Sequence, residues 1–186
     1  TIGVIMLIWF WSDSHFGHGK IIEYCNRPFQ SLIDMDLTLI RKFNERVDKD
    51  DLCFFLGDFC MKKSSEASDA PRNAFDYYRN QLNCKNIIFI EGNHDHHNGT
   101  KTPIESINIT HGGSSIHLTH NPKHAGEDFK FNFTGHCHGN RGVFNKLGKK
   151  SVIVDLSVDC WDFYPVNIND INSSYSTWLK GGKKNE

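Results

Sequence analysis

Short apolar runs in this chain end, five times over, in a small knot of carboxylate, carboxamide or imidazole side chains. Met6–Trp11 is apolar throughout and runs into Asp13-Ser14-His15. Leu52–Leu56 runs into Gly57-Asp58, and Asn86–Ile90 into Gly92-Asn93-His94-Asp95. Ser115–Thr119 leads to His120, and Phe131–Phe133 to Gly135-His136-Cys137-His138. Runs of this length read as strands, and an unbroken apolar run reads as a strand covered on both faces. Functional groups in α/β sheets gather at the carboxyl ends of strands, so the chain is constrained to a fold that brings five strand ends to one edge.

The spacing within the knots carries information of its own. Asp13 and His15 stand two apart, as do His136 and His138. On an extended chain each pair points to one side, with Cys137 turned away. Gly57, Gly92 and Gly135 precede the polar residues, where glycine permits a tight turn and a close backbone approach to a metal or a phosphate. Eleven histidines in 186 residues call for a reason, and metal ligation is the commonest.

A chain of 186 residues with 38% hydrophobic and 23% charged residues suits one globular domain spanning 1–186 rather than a disordered segment. The net charge of -1 provides no global field for nucleic acid. Cys25, Cys53, Cys60, Cys84, Cys137 and Cys160 show no paired spacing and read as free thiols of a reducing, cytoplasmic compartment. The run Ile2–Trp11 is too short to span a bilayer and lacks the flanks of a signal peptide, so no membrane role is expected. Met6 stands as a candidate natural start with Thr1–Ile5 upstream of it, and residues 181–186 are expected to form a disordered tail.

Two segments have helical period. Ile33, Leu37, Ile40, Phe43 or Asn44, and Val47 form an apolar stripe, with Ser31 as N-cap and Asp34 in a capping-box-like position. A second helix is expected from about Pro71 to Leu82, burying Phe75, Tyr78 and Leu82, with Asp69 as its cap. Ser151–Leu156 adds another strand, while Ser64–Asp69 and Asn98–Thr102 read as polar loops. Alternating strands and helices early, then mostly strands, predict an α/β domain of two packed mixed β-sheets flanked by helices, an αββα sandwich with a metal site at the carboxyl ends of its strands.

The ordered pattern D-x-H, G-D, G-N-H-D, H and G-H-x-H from position 13 to 138 resembles the calcineurin-like metallophosphoesterase superfamily. The stretch Ser12-Asp13-Ser14-His15-Phe16-Gly17-His18, followed by Asn26-Arg27-Pro28-Phe29, is similar to a small bacterial and phage branch of it. The resemblance implies that Asp13, His15 and His138 hold a first metal, that Asn93, His120 and His136 hold a second, and that Asp58 bridges both. His94 would protonate the leaving group or steady the transition state, and Asp95 would orient it. The implied cofactor is two divalent ions, Mn first, with Fe, Zn, Ni or Mg as alternatives. A bridging carboxylate suits two cations held close together, and the ions would activate water as hydroxide. The neutral Asn93 keeps such a site attractive to a phosphate anion.

Other residues divide between ordinary and functional readings. His18, Arg27 and Arg141 lie near motif loops and could grip substrate phosphate, the arginines in bidentate fashion. The competing reading for each is a solvated polar side chain. His96, His97, His111 and His117 read as surface residues, and His124 is the weaker candidate for the substrate side. Trp161, Phe163 and Tyr164 read as core, with a base-stacking wall as the alternative. A structural zinc site is disfavoured because the cysteines are not paired with the histidines.

The expected activity is hydrolysis of a phosphate ester, with a phosphodiester or nucleotide-type substrate favoured. The alternatives are a phosphomonoesterase acting on a small metabolite, a non-catalytic metal-stabilised binding protein, and a nuclease for short single strands. Protein Ser/Thr phosphatases of the superfamily are disfavoured because the chain reads Gly57-Asp58-Phe59-Cys60-Met61-Lys62 and ends its histidine motif in Asp95. The oligomeric state is not fixed by the sequence.

Overall fold

The structure is a computed structural model that describes residues 6–61, 73–100 and 102–181. Two mixed sheets flanked by helices make up the molecule, as the strand and helix pattern predicts. The first sheet has the order β3-β2-β1-β9, from β1 (Ile8–Trp11), β2 (Leu52–Phe55), β3 (Asn86–Phe89) and β9 (Val166–Asn167). Its first three strands are parallel, and β9 closes the edge antiparallel to β1. The second sheet has the order β4-β5-β6-β8-β7, from β4 (Ser106–His111), β5 (Ser114–Thr119), β6 (Phe131–Thr134), β7 (Phe144–Leu147) and β8 (Ser151–Asp155). Strands β5, β6 and β8 are parallel, and β4 and β7 form antiparallel edges.

The continuous apolarity of β1 has the cause expected of it. Trp9 and Trp11 enter a core shared with the helices, while Phe10 points the other way into a core shared with the second sheet. There Phe10 meets Phe133 edge-on at 4.9 Å and lies parallel to Phe54 at 5.9 Å. In β2, Cys53 and Phe55 join the first core and Phe54 the second. Ile168 and Ile171 of α5 (Ile168–Gly181) complete the second core.

The register of the parallel strands levels their ends. Trp11 pairs with Phe55, and Phe55 with Phe89, so the segments carrying Asp13, Asp58 and Asn93 leave the sheet at one height. A parallel bridge from Ser12 to Ser157 joins the first sheet to the segment after β8.

Helix α2 (Leu32–Arg46) corrects the expected stripe. Ser31 does cap it, accepting from the Asp34 N–H at 3.1 Å, and Asp34 accepts in turn from the Gln30 N–H at 3.2 Å. Phe43 and Val47 are buried and Ile40 packs against the core as expected, but in the first half of the helix Met35, Asp36 and Leu39 form the buried face, whereas Ile33 and Leu37 are 72% and 59% exposed. Spacings of three and four fit either set, and the heavier face with Met35, Leu39 and Phe43 faces Trp11 and its neighbours. Helix α1 (Ile21–Tyr24) is a single turn that the apolar pattern did not announce. Helix α3 (Ala74–Arg79) buries Tyr78, with Leu82 buried just beyond its end and Phe75 packed against the same core. Asp69, Pro71 and the loop Ser64–Asp69 lie outside the described residues, as do Thr1–Ile5 and residues 182–186. A last short helix, α4 (Asp95–Asn98), follows the G-N-H-D motif and falls partly in a segment read as loop. All six cysteines are free thiols, and among the described residues no helix is long and apolar enough to cross a membrane.

The two faces of α2 make separable predictions. Met35→Ala should destabilise the protein by about 2–5 kcal/mol, the usual cost of emptying a buried site. Ile33→Ser and Leu37→Ser should each change stability by about 0.5 kcal/mol or less. Urea unfolding midpoints of the three variants check this, and a large loss at Ile33 or Leu37 would reinstate the stripe expected from the sequence.

Candidate metal centre

The strand ends turn sharply into the site. Asp13, His15, Asp58, His136 and His138 all have positive φ, of 58°, 50°, 58°, 70° and 47°. Left-handed backbone is costly for residues with a Cβ, and it persists only where surrounding structure holds it. Asp13 and His15, and likewise His136 and His138, therefore converge through left-handed turns and not through the extended alternation expected from their spacing.

Hydrogen bonds supply the hold. Asp13, His15 and Phe16 donate their backbone N–H groups to the carbonyls of Gly57, Asp58 and Phe59, lacing the first two loops together. The Asp13 carboxylate accepts from Ser12, from Ser157 Oγ and from the His136 N–H. Gly57 sits at φ 90°, and a Cβ there would stand 2.6 Å from both Gly92 Cα and His120 Nδ1, so the close packing of two ligand loops requires glycine. A Cβ on Gly92 would strike Asp58, and one on Gly135 would strike Ser12 and Asp13.

The seven residues proposed as ligands meet in one place. Asp13, His15 and His138 each put a ligand atom within 4.8 Å of the others, and so do Asp13, Asp58 and His120. His15 Nε2 lies 3.8 Å from Asp13 Oδ1 and 3.6 Å from Asp58 Oδ2. His138 Nε2 lies 3.6 Å from Asp13 Oδ1, and His120 Nε2 lies 3.4 Å from Asp58 Oδ2. Asn93 Oδ1 is 2.9 Å from His120 Nε2 and 2.8 Å from His136 Nδ1.

These residues fit a metal by three tests. His15 Nε2 is buried without a hydrogen-bond partner, aimed between two carboxylates, which is the environment of a ligand atom. The outer nitrogens of two other rings are committed: His120 Nδ1 lies 2.7 Å from the Leu56 carbonyl and His138 Nδ1 lies 2.7 Å from Asp159 Oδ2. That pattern fixes the tautomer and leaves Nε2 to face a cation. Finally, the donor set of imidazole, carboxylate and carboxamide is that of transition-metal centres.

The electrostatics without metal are those of a crowded acid–base cluster. Burial alone would lower His138 and His120. The Asp159 contact and the Asp13 charge instead push His138 up to about 11, and Asp58 with Asp13 pushes His120 up to about 9. Burial would raise Asp58, and contact with His120 and His15 outweighs it, holding the carboxyl well below its usual range. His15 goes the other way, its pKa lowered well below 6.5 by burial.

The remaining expected residues are placed as follows. His94 is exposed beside the cluster, its ring 5.7 Å from that of His15, and its N–H donates to Asp58 Oδ1 at 2.9 Å. Asp95 is buried, and its described bonds go to backbone and not to the His94 ring. It accepts from Asp58 N at 2.9 Å, Phe59 N at 3.1 Å and Gly92 N at 2.8 Å, tying the second loop to the third. His18 reaches the rim, with its ring 5.7 Å from that of His15, and burial followed by the neighbouring His94 and Arg27 lowers its pKa.

The two arginines expected at the substrate differ in their surroundings. Arg27 is buried, and its donors are taken by Asp159, the carbonyls of Asp13 and Ser14 and the Met35 sulfur, so it has none for a phosphate. Arg141 is exposed and lines a cavity of about 230 Å³ with Pro122, Thr134, Cys137 and Asp155, which through Cys137 is next in sequence to the ligand pair His136 and His138. Asp159 was not visible from the sequence. The signal available was indirect, since a buried arginine requires a carboxylate partner. Trp161 and Phe163 pack as core, and Tyr164 lies under Lys42, 4.5 Å from its ring centroid.

The profile of the calcineurin-like phosphoesterases matches residues 6–185 of the chain. An uncharacterized protein of Methanocaldococcus jannaschii, MJ1445, is 32% identical over 164 residues, which cover 85% of each chain. The gene 66 protein of Mycobacterium phage D29 is 36% identical over 88 residues, 47% of this chain and 40% of the phage protein. Among solved structures, the protein of unknown function AQ665 from Aquifex aeolicus superposes with a TM-score of 0.66 at 18% identity, covering 91% of this chain and 99% of that one, and so shares the fold. With the family profile spanning nearly all of its length, the chain belongs to the calcineurin-like phosphoesterase family.

Proposed function

We propose that the protein is a binuclear metal-dependent hydrolase of phosphate esters, with a phosphodiester or nucleotide-type substrate. The observation that carries this reading is the unpartnered, buried His15 Nε2, set between Asp13 and Asp58 at the meeting point of five strand ends. Membership of the phosphoesterase family supports the hydrolase class.

Asp13, His15 and His138 would hold one divalent ion and Asn93, His120 and His136 the other, with Asp58 shared between them. Two such ions supply hydroxide from water near neutral pH and offset the charge developing on phosphoryl oxygens. Manganese is the proposed native pair, and iron, zinc, nickel and magnesium are the alternatives. The protein's own contribution is placement. Asp95 holds the Asp58 and Gly92 loops in mutual register, and the Asp58 carboxylate receives the His94 N–H, so His94 is fixed by its backbone while its ring stays exposed. From there the ring can donate a proton to a departing alkoxide, with His18 beside it on the rim. With the Arg27 donors taken inside the protein, charge on the phosphate would be offset by the ions, and Arg141 is an exposed cation that can add to them.

Chelator-stripped protein should hydrolyse bis-para-nitrophenyl phosphate when Mn is restored and not otherwise. Asp58→Asn should lose more than the roughly 10- to 100-fold typical of groups outside the ligand set. Activity confined to para-nitrophenyl phosphate would move the substrate to monoesters, and an absence of activity with every metal would remove the hydrolase reading. His94→Ala should lower kcat by about 10²- to 10⁴-fold, with two equivalents of Mn still bound. Loss of metal in that variant would make His94 a ligand instead of an acid.

The metal-free protein should also show a distinctive pH response. The pKa values of His120 and His138 are raised above 6.5, so their pairing with carboxylates stabilises the fold fully below about pH 6.5. That contribution is lost as pH rises through about 9 and about 11. Thermal midpoints of stripped protein should therefore fall between pH 7 and 10, and saturating Mn, which replaces those protons, should remove the decline. A flat profile without metal would contradict the protonated cluster.

A further inference from the structure

The Asn26-Arg27-Pro28-Phe29 segment places its arginine beneath the metal centre. Arg27 and Asp159 lie 132 residues apart in sequence, and their side chains meet in a two-pronged pair. Nε donates to Asp159 Oδ1 at 2.8 Å and Nη2 to Oδ2 at 3.0 Å. Nη2 also donates to the Asp13 carbonyl at 2.8 Å, and Nη1 to the Ser14 carbonyl at 3.0 Å, with Met35 Sδ 3.4 Å away. The same Asp159 Oδ2 lies 2.7 Å from His138 Nδ1. One guanidinium thus grips the backbone that carries Asp13 and, through Asp159, the ring of His138.

The side-chain hydrogen bonds that this pair makes to the centre fall on its Asp13 side, at the Asp13 and Ser14 carbonyls and the His138 ring. Asp13 holds φ 58°, a conformation that needs outside support, and the carbonyl held by Arg27 belongs to that same residue. A planar fork meets a carboxylate and two carbonyls at once, which an ammonium cannot. The Asn93, His120 and His136 side chains are anchored separately, by mutual contact and by the Leu56 carbonyl.

We propose that Arg27 and Asp159 are a positioning pair that sets the affinity of the first metal position, Asp13–His15–His138, and leaves the second position to the Asn93, His120 and His136 side. This rests on the binuclear reading above. The pair touches neither substrate nor reacting atoms; it acts by holding the Asp13 turn and by fixing His138 with Nε2 toward the cation.

The test is Mn binding to the stripped full-length protein, followed by calorimetry and by the electron paramagnetic resonance of bound Mn, for wild type, Arg27→Lys and Asp159→Asn. Wild type should bind two equivalents, with a spin-coupled spectrum at saturation. Each variant should keep one equivalent at wild-type affinity and bind the other about 10- to 100-fold more weakly. At one equivalent the variants should show the spectrum of an isolated ion, and excess Mn should restore both the coupled spectrum and hydrolysis. Fewer than two equivalents in wild type would bring down the binuclear reading itself. Two equivalents at unchanged affinity in the variants, or equal weakening of both, would overturn the positioning pair while leaving that reading intact. Should Arg27→Lys fail to fold, the near-isosteric Asp159→Asn decides the question. If that variant also loses cooperative unfolding, the pair is a folding element and the proposal fails.

Discussion

The molecule is organised around a set of left-handed turns that would not persist on their own. Five of the residues that meet at the centre hold positive φ, and each such position in an L-residue costs free energy of order 1–3 kcal/mol. The rest of the architecture at this edge can be understood as restraint. Parallel registers bring the strands to one height, backbone bonds lace the Asp13–Phe16 segment to Gly57–Phe59, and glycines stand where ligand loops come closest. Asp95, buried and acidic, is used as a three-way backbone acceptor across two loops. Without these restraints the same side chains would be polar residues on unconnected loops.

A cluster assembled this way is electrostatically tense when it holds no cation. Burial penalises every charge in it; the Asp159 contact raises the pKa of His138 against that penalty, while at His15 burial outweighs the facing Asp58 carboxylate and lowers it. Divalent ions would resolve both demands together, because they satisfy the carboxylates and take the lone pairs of the rings.

Much of this was legible in the residue order, for definite reasons. The apolar runs of β1 and β2 are continuous because both faces are covered, and the polar residues that follow them are brought to one height by the parallel register. The helix face was less legible, because Ile33 and Leu37 match the period as well as Met35 and Leu39 do, and only packing against Trp11 distinguishes them. Strands β4, β7 and β9 escaped because edge strands are short or half polar, as the exposed alternation of Ser106–His111 illustrates. Arg27 reads as a phosphate grip or a solvated charge and is instead buried against Asp159, since the sequence names a charged group without naming its partner. Asp159 itself carries no local signature; it acquires a role from contacts with Arg27 and His138, both distant in the chain.

The bridge between Arg27 and Asp159 has a consequence for how the protein comes into being. Chains leave the ribosome amino end first, and the two partners are 132 residues apart. Asp13, His15 and Arg27 emerge early, while Asp159, which anchors the Arg27 fork, and the His138 ring follow far later in the chain. Until then the Asp13 side of the proposed centre would lack its His138 ring and the carboxylate that orients that ring. On the binuclear reading, ion capture on the Asp13 side would await the strands of the second sheet that precede Asp159.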